Sequence, residues 1–127
     1  MKNEDKELLL KDLCARLPYN VRVEYNGTTF TNIFDVLGIA HGRIMLCLPF
    51  MSKTECPLIE EVKPYLFPLS SMTEEQKRDY QYITERWMND PTYIISDSFD
   101  WLHKNHFDYR GLIEKGLAID ATGKNIY

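Results

Sequence analysis

A chain of 127 residues, 44% hydrophobic and 27% charged, has the make-up of a folded domain with one ordinary core, and no apolar run approaches the ~20 residues that cross a bilayer. Its net charge of −4 comes without any run of lysine or arginine, so the basic stripe that phosphate binding demands is missing and nucleic-acid partners are disfavoured. Three cysteines, Cys14, Cys47 and Cys56, share no CxxC spacing, which argues against both a disulfide framework and a zinc site.

The opening stretch MKNEDKELLL has no apolar signal region, so the expected location is the cytoplasm. Leu10, Leu13, Cys14 and Leu17 fall at i, i+3, i+4 and i+7 and predict a helix over 4–17, capped by Asn3 and stopped before Pro18. On this reading Cys14 faces the core, as does Cys47 within an apolar run. Cys56 has no basic neighbour to activate its thiol.

Residues 20–48 then change period. Val21, Val23 and Tyr25 alternate with Arg22 and Glu24, and Asn26-Gly27 supplies a two-residue hairpin turn that sets Tyr25 against Thr28 and Val23 against Phe30. The return strand heads for Leu37, Gly38–Gly42 forms a second turn holding His41, and Arg43–Leu48 reads as a central strand. Pro49, Pro57, Pro64 and Pro68 make 49–70 a loop with one edge strand, around Val62–Leu69.

Thr73-Glu74-Glu75-Gln76 is a capping box, opening a helix to about Met88 with Tyr80, Ile83 and Trp87 on one face. A second helix is expected over Ser98–Lys104, capped by Asp97 or Ser98. A third follows, opened by Asp108 and closed by Gly116. Leu117–Asp120 reads as extended and 123–127 as a loose tail. The expected fold is therefore α+β: an N-terminal helix, an antiparallel meander of about four strands (open or curled into a small barrel), and two or three C-terminal helices. All of 1–127 is taken as one domain, with a helix-and-meander half at 1–70 and a helical half at 71–122.

The stretches KPYLFPLSSMTEEQK (63–77) and DWLHKNHFDYRGLIEKGLA (100–118) resemble segments of small uncharacterised proteins of gut-bacterial phages and mobile elements. The resemblance covers about a third of the chain. It implies a bacterial or phage origin and expression inside a bacterial cell, and it carries no catalytic residue over.

Aromatic and polar groups crowd into 96–120, where Trp101, His103, His106, Tyr109 and Arg110 are the candidate binding residues; tyrosine and arginine are enriched at interface hot spots. Phe99 and Leu102, joined by Trp87, form the expected buried stripe and leave Trp101 partly exposed. Tyr65, Phe67, Tyr82, Tyr93 and Tyr109 are candidates for the surface. Asp100, His103 and His106 recur at i, i+3 and i+6, close enough on one helix to share a metal, yet no second cluster completes a closed site and a polar helix face is the favoured reading. Arg110 has Asp100, Asp108 and Glu114 as potential partners. Glu60-Glu61 and Glu74-Glu75 are sequence neighbours whose side chains diverge, so neither pair converges on one bond. No GxSxG turn or phosphate loop is present.

No catalytic residue, metal or cofactor is therefore expected, and the balance leans away from an enzyme. Two functional classes stand. One is a non-enzymatic protein-interaction or accessory factor that engages a protein partner or itself. The other is a small anionic-ligand binder or enzyme with a pocket between the sheet and 97–116, since arginine forks match carboxylate and phosphate.

Overall fold

Leu8, Leu9 and Leu10 in succession leave the inward face of the first helix open, and its partners decide it. The computed structural model describes residues 2–25, 33–48, 54–89 and 96–127. In it α1 (Asn3–Arg16) buries Leu9, Asp12, Leu13 and Arg16. The helical period holds, but the buried face is turned from the expected one: Leu10 and Leu17 are half-buried and Cys14 is exposed. An acid and an arginine can enter a core as a hydrogen-bonded pair, although Arg16 Nη1 has no hydrogen-bond partner among the described residues. Asn3 is the first helical residue, not the cap, and Lys2 precedes it without a side-chain cap bond.

Strands β1 (Arg22–Glu24), β2 (Ile33–Ala40), β3 (Arg43–Cys47) and β4 (Thr54–Glu55) form an antiparallel meander. The expected register is corrected: Val23 faces Phe34, not Phe30. Both side chains are fully buried, and burial on one face is what pins a register. The Asn26-Gly27 turn, with Thr28 and Phe30, lies outside the described residues. The second turn contracts to His41-Gly42, at φ 54° and 74°, between the paired Ala40 and Arg43. Two left-handed residues in a two-residue loop match the strands' twist. Gly38 lies inside β2 instead, at a bulge that leaves Leu37 exposed.

The strand β5 (Lys63–Pro68) is not an edge. It pairs antiparallel with β1 and parallel with both β6 (Phe107–Asp108) and β7 (Ile119–Asp120), in the order β4-β3-β2-β1-β5-β6 with β7 also on β5. Alternate residues of a strand present their backbone groups to the same edge, so Pro64 and Pro68 share the edge of Leu66. There Leu66 O accepts from Ala121 N at 2.8 Å, while Phe67 N donates to His106 O at 2.8 Å on the other edge. The missing proline donors thus limit how far β7 pairs and do not exclude β5 from the centre. The sheet is mixed and does not close into a barrel; the outer strands β4 and β6 are two residues each, too short for a closing ladder. Leu9, Leu13, Val23, Phe34, Ile44 and Leu46 centre the main core between α1 and the sheet.

In the C-terminal half, α2 (Glu74–Asn89) opens as expected: Gln76 N donates to Thr73 Oγ1 at 3.1 Å and Thr73 N to Gln76 Oε1 at 2.9 Å. Helix α3 (Ser96–Lys104) begins earlier than expected, which puts Asp97 and Ser98 inside its first turn. The third helix is not formed, although both of its end signals operate. Asp108 accepts from Leu112 N and Ile113 N, and Gly116, at φ 74°, closes a Schellman motif through Leu117 N to Leu112 O and Gly116 N to Ile113 O. Gly111 takes left-handed backbone, at φ 75°, and Asp108 reaches past it to Leu112 and Ile113, so a single turn is left before Gly116. The expected loose tail is docked instead: Ile126 is buried and Tyr127 is hydrogen-bonded to the sheet. Among the described residues no helix is long and apolar enough to cross a membrane.

The expected Phe99–Leu102 stripe is half right. Leu102 is buried, but Phe99 is 42% exposed, and the Trp87 side chain lies outside the described residues. Trp101 is half-buried between Tyr80 and Phe107, at 5.5 and 5.7 Å between ring centroids. Leu102→Ala is expected to cost about 2–5 kcal/mol and Trp101→Ala at least about 2 kcal/mol, whereas Phe99→Ala stays within about 1 kcal/mol. Urea denaturation of the three variants checks the order, and a Phe99→Ala loss exceeding the other two would contradict this packing.

Candidate functional site

Three of the five candidate residues meet, and they meet α1. Arg16 Nε donates to Asp12 Oδ2 at 2.8 Å, and Arg110 Nε donates to Asp12 Oδ1 at 3.1 Å. Arg110 Nη2 donates to the Tyr109 hydroxyl at 2.8 Å, and that hydroxyl lies 2.6 Å from His103 Nε2. Arg16 Nη2 continues to the carbonyl of Phe107 at 2.6 Å. Using each donor once, the Tyr109 proton goes to His103 Nε2, which makes that imidazole neutral and protonated on Nδ1.

The electrostatics agree with that assignment. Burial, then the nearby Arg16 cation, holds His103 below the ordinary histidine range, and burial keeps Tyr109 protonated by pushing its phenol up. Asp12 and Arg16 are both 0% exposed. One carboxylate therefore serves two guanidinium groups, with the Tyr109 ring beneath both, 4.8 Å from Arg110 and 5.7 Å from Arg16.

His106 and Trp101 belong to a different set of contacts. His106 stacks on Tyr127 at 3.6 Å and 9°, and six rings follow one another as Tyr80, Trp101, Phe107, Phe67, Tyr127 and His106. A second line runs Tyr19, His103, Tyr109, Phe99. The two histidines thus engage different neighbours and do not converge with Asp100; among the described residues no group of three His, Cys, Asp or Glu side chains is placed to hold a metal. Of the tyrosines expected near the surface, Tyr65 is buried and Tyr93 lies outside the described residues. Of the two cysteines read as core, Cys47 is half-buried, its thiol pushed up by burial and by Asp35.

Among the described residues, clefts open on two parts of the surface. One of about 240 Å³ lies among Phe67, Ser71, Thr73, Gln76, Phe107 and Thr122. The other, of about 370 Å³, runs along the β2–β3 hairpin past Leu37, Ile39, Met45 and Cys56. Trp101, His103, His106, Tyr109 and Arg110 line neither. Arg110 gives Nε to Asp12 and Nη2 to Tyr109, so an anionic ligand would compete with the network for those groups.

Sequence reasoning missed Asp12, Arg16 and Tyr127. The i, i+4 spacing of Asp12 and Arg16 is visible in the sequence, but such pairs ordinarily sit in solvent. Nothing in the sequence marks Tyr127.

Asp12→Ala strips two arginines of their counter-charge, one of them fully buried, and is expected to cost about 3–5 kcal/mol. The double variant Asp12→Leu/Arg16→Met removes the buried charges together and is expected to recover more than half of that loss. Chemical denaturation of both variants tests the point; equal destabilisation would show that packing, not charge, sets the effect. Comparison of the chain with protein-family models, with curated proteins and with solved structures found no match.

Proposed function

We propose that this chain is a non-enzymatic protein-interaction factor, an accessory protein of phage or mobile-element origin that works in the bacterial cytoplasm. The observation that carries the reading is the outer face of the β2–β3 hairpin. Leu37 is 53% exposed and Met45 46% exposed, side by side along the apolar cleft of about 370 Å³. Two large apolar side chains over a concave apolar surface suit contact with another protein. The acidic balance and the internal commitment of His103, Tyr109 and Arg110 support the same reading over a small anionic ligand.

Leu37→Glu and Met45→Glu fall on exposed positions and are expected to leave the unfolding midpoint nearly unchanged. Each is expected to lower recovery of a bound partner at least about tenfold when tagged protein is drawn from bacterial lysate. Wild-type protein that elutes as a strict monomer and retains nothing that the two variants lose would refute the proposal.

A further inference from the structure

After β7 the chain crosses four exposed residues, Thr122 to Asn125, and then turns back to bury Ile126 and lay the Tyr127 ring on His106. Gly123 and Asn125 take left-handed backbone, at φ 75° and 53°, which makes the reversal. Ile126 and Tyr127 thus anchor the segment after a short solvated connection.

It lands at a gap. Strands β1 and β5 pair through Glu24 with Lys63 and Val23 with Pro64, and the next rung would set Arg22 against Tyr65. Tyr127 takes that place: its hydroxyl accepts from Arg22 N at 3.0 Å and donates to Tyr65 O at 2.7 Å. Arg22 Nη1 also donates to Ile126 O, which fastens the segment to β1 a second time.

Beneath the ring, His106 has left-handed backbone, at φ 61°, and its Nδ1 is buried with no hydrogen-bond partner among the described residues. The charged groups that face it are cations, Arg16 from α1 and Arg22 from β1, and the group covering it is the neutral Tyr127 phenol. Arg22 is itself paired with Asp35 at 3.0 Å.

We propose that residues 122–127 form an acid-released strap, in which Tyr127 is a removable rung between β1 and β5 and a proton on His106 lets it go. The added proton would occupy Nδ1, where no acceptor waits, beside two guanidinium groups. Burial first, then Arg16 and Arg22, lowers the pKa of the covered imidazole to about 4, against ~6.5 for a free one. Stacking an imidazolium on the Tyr127 ring is attractive, but the site already holds two cations. A histidine depressed by closure favours the closed strap fully above about pH 6.5, and the preference falls as pH drops from there toward 4. Opening uncovers the faces of Phe67, Tyr65 and Ala121 that the strap packs against.

Two-dimensional NMR of the full chain between about pH 7.5 and about pH 4.5 tests the strap. Contacts of the Tyr127 ring with His106 and of Ile126 with Tyr65 are expected to disappear in acid, while the amides of Ile44 and Leu46 keep their protection. His106→Asn, which tolerates the left-handed backbone and does not titrate, is expected to keep the strap closed throughout. Tyr127→Phe keeps the stack, loses the rung and is expected to raise the open fraction about five- to tenfold. Persistence of the ring contacts at the acid end overturns the proposal, as does a His106→Asn variant that opens along the wild-type curve. If that variant does not fold, the wild type decides alone: the His106 imidazole and the strap contacts must titrate together, and separate midpoints overturn the proposal.

Discussion

One carboxylate, sealed from water, organises how the two halves of this protein meet. Asp12 receives Arg16 from its own helix and Arg110 from a turn far along the chain, and each arginine then reaches further, to the Phe107 carbonyl and the Tyr109 hydroxyl. A buried charge is tolerable only while its partners stay in place, so the position of α1 over the sheet and the path of residues 103–110 constrain each other. The cost of separating them is high because neither side can regain water without the other losing its counter-charge.

The same constraint explains where the aromatic side chains go. The density around Trp101, Phe107 and Tyr109 reads in the sequence as a surface for recognition, but the rings pack on one another, stacked or tilted, and link α2, α3, β5 and β6. A segment that forms little regular structure, with a two-residue strand and a single Schellman turn, needs side-chain contacts to hold its shape. Rings supply large contact area for few lost rotamers. Of this group Phe99 stays exposed, and a separate exposed apolar pair, Leu37 and Met45, lies on the β2–β3 hairpin.

Features written within a few residues were legible in advance. The Thr73–Gln76 box, the helical period of α1, the Gly116 reversal and the α+β class all follow from local rules, because each depends on neighbours within one turn. What was not legible depends on distant partners. The face of α1 rests on Arg110, and the central place of β5 rests on β6 and β7, which bring parallel pairing to a strand whose prolines suggest an edge. The register of Val23 with Phe34 is of the same kind, since it is set by burying both side chains in the main core and not by a local turn signal. Of the candidate site, His103, Tyr109 and Arg110 were found and do come together, but Asp12, which joins them to α1, sat hidden as an ordinary i, i+4 pair.

The central place of β5 also sets an order in time. The β2–β3 hairpin closes over two residues and can form within microseconds, whereas every ladder of β5 joins segments far apart in the chain: Val23 with Pro64, Phe67 with Phe107, Tyr65 with Ile119. Each of those closures spends loop entropy before its contacts return any. The local β2–β3 hairpin is therefore expected to form ahead of the ladders of β5, which wait on segments far along the chain. During that interval its two edges are bare strand, and the prolines at 64 and 68, lacking donors, are what keep one of those edges from templating another chain.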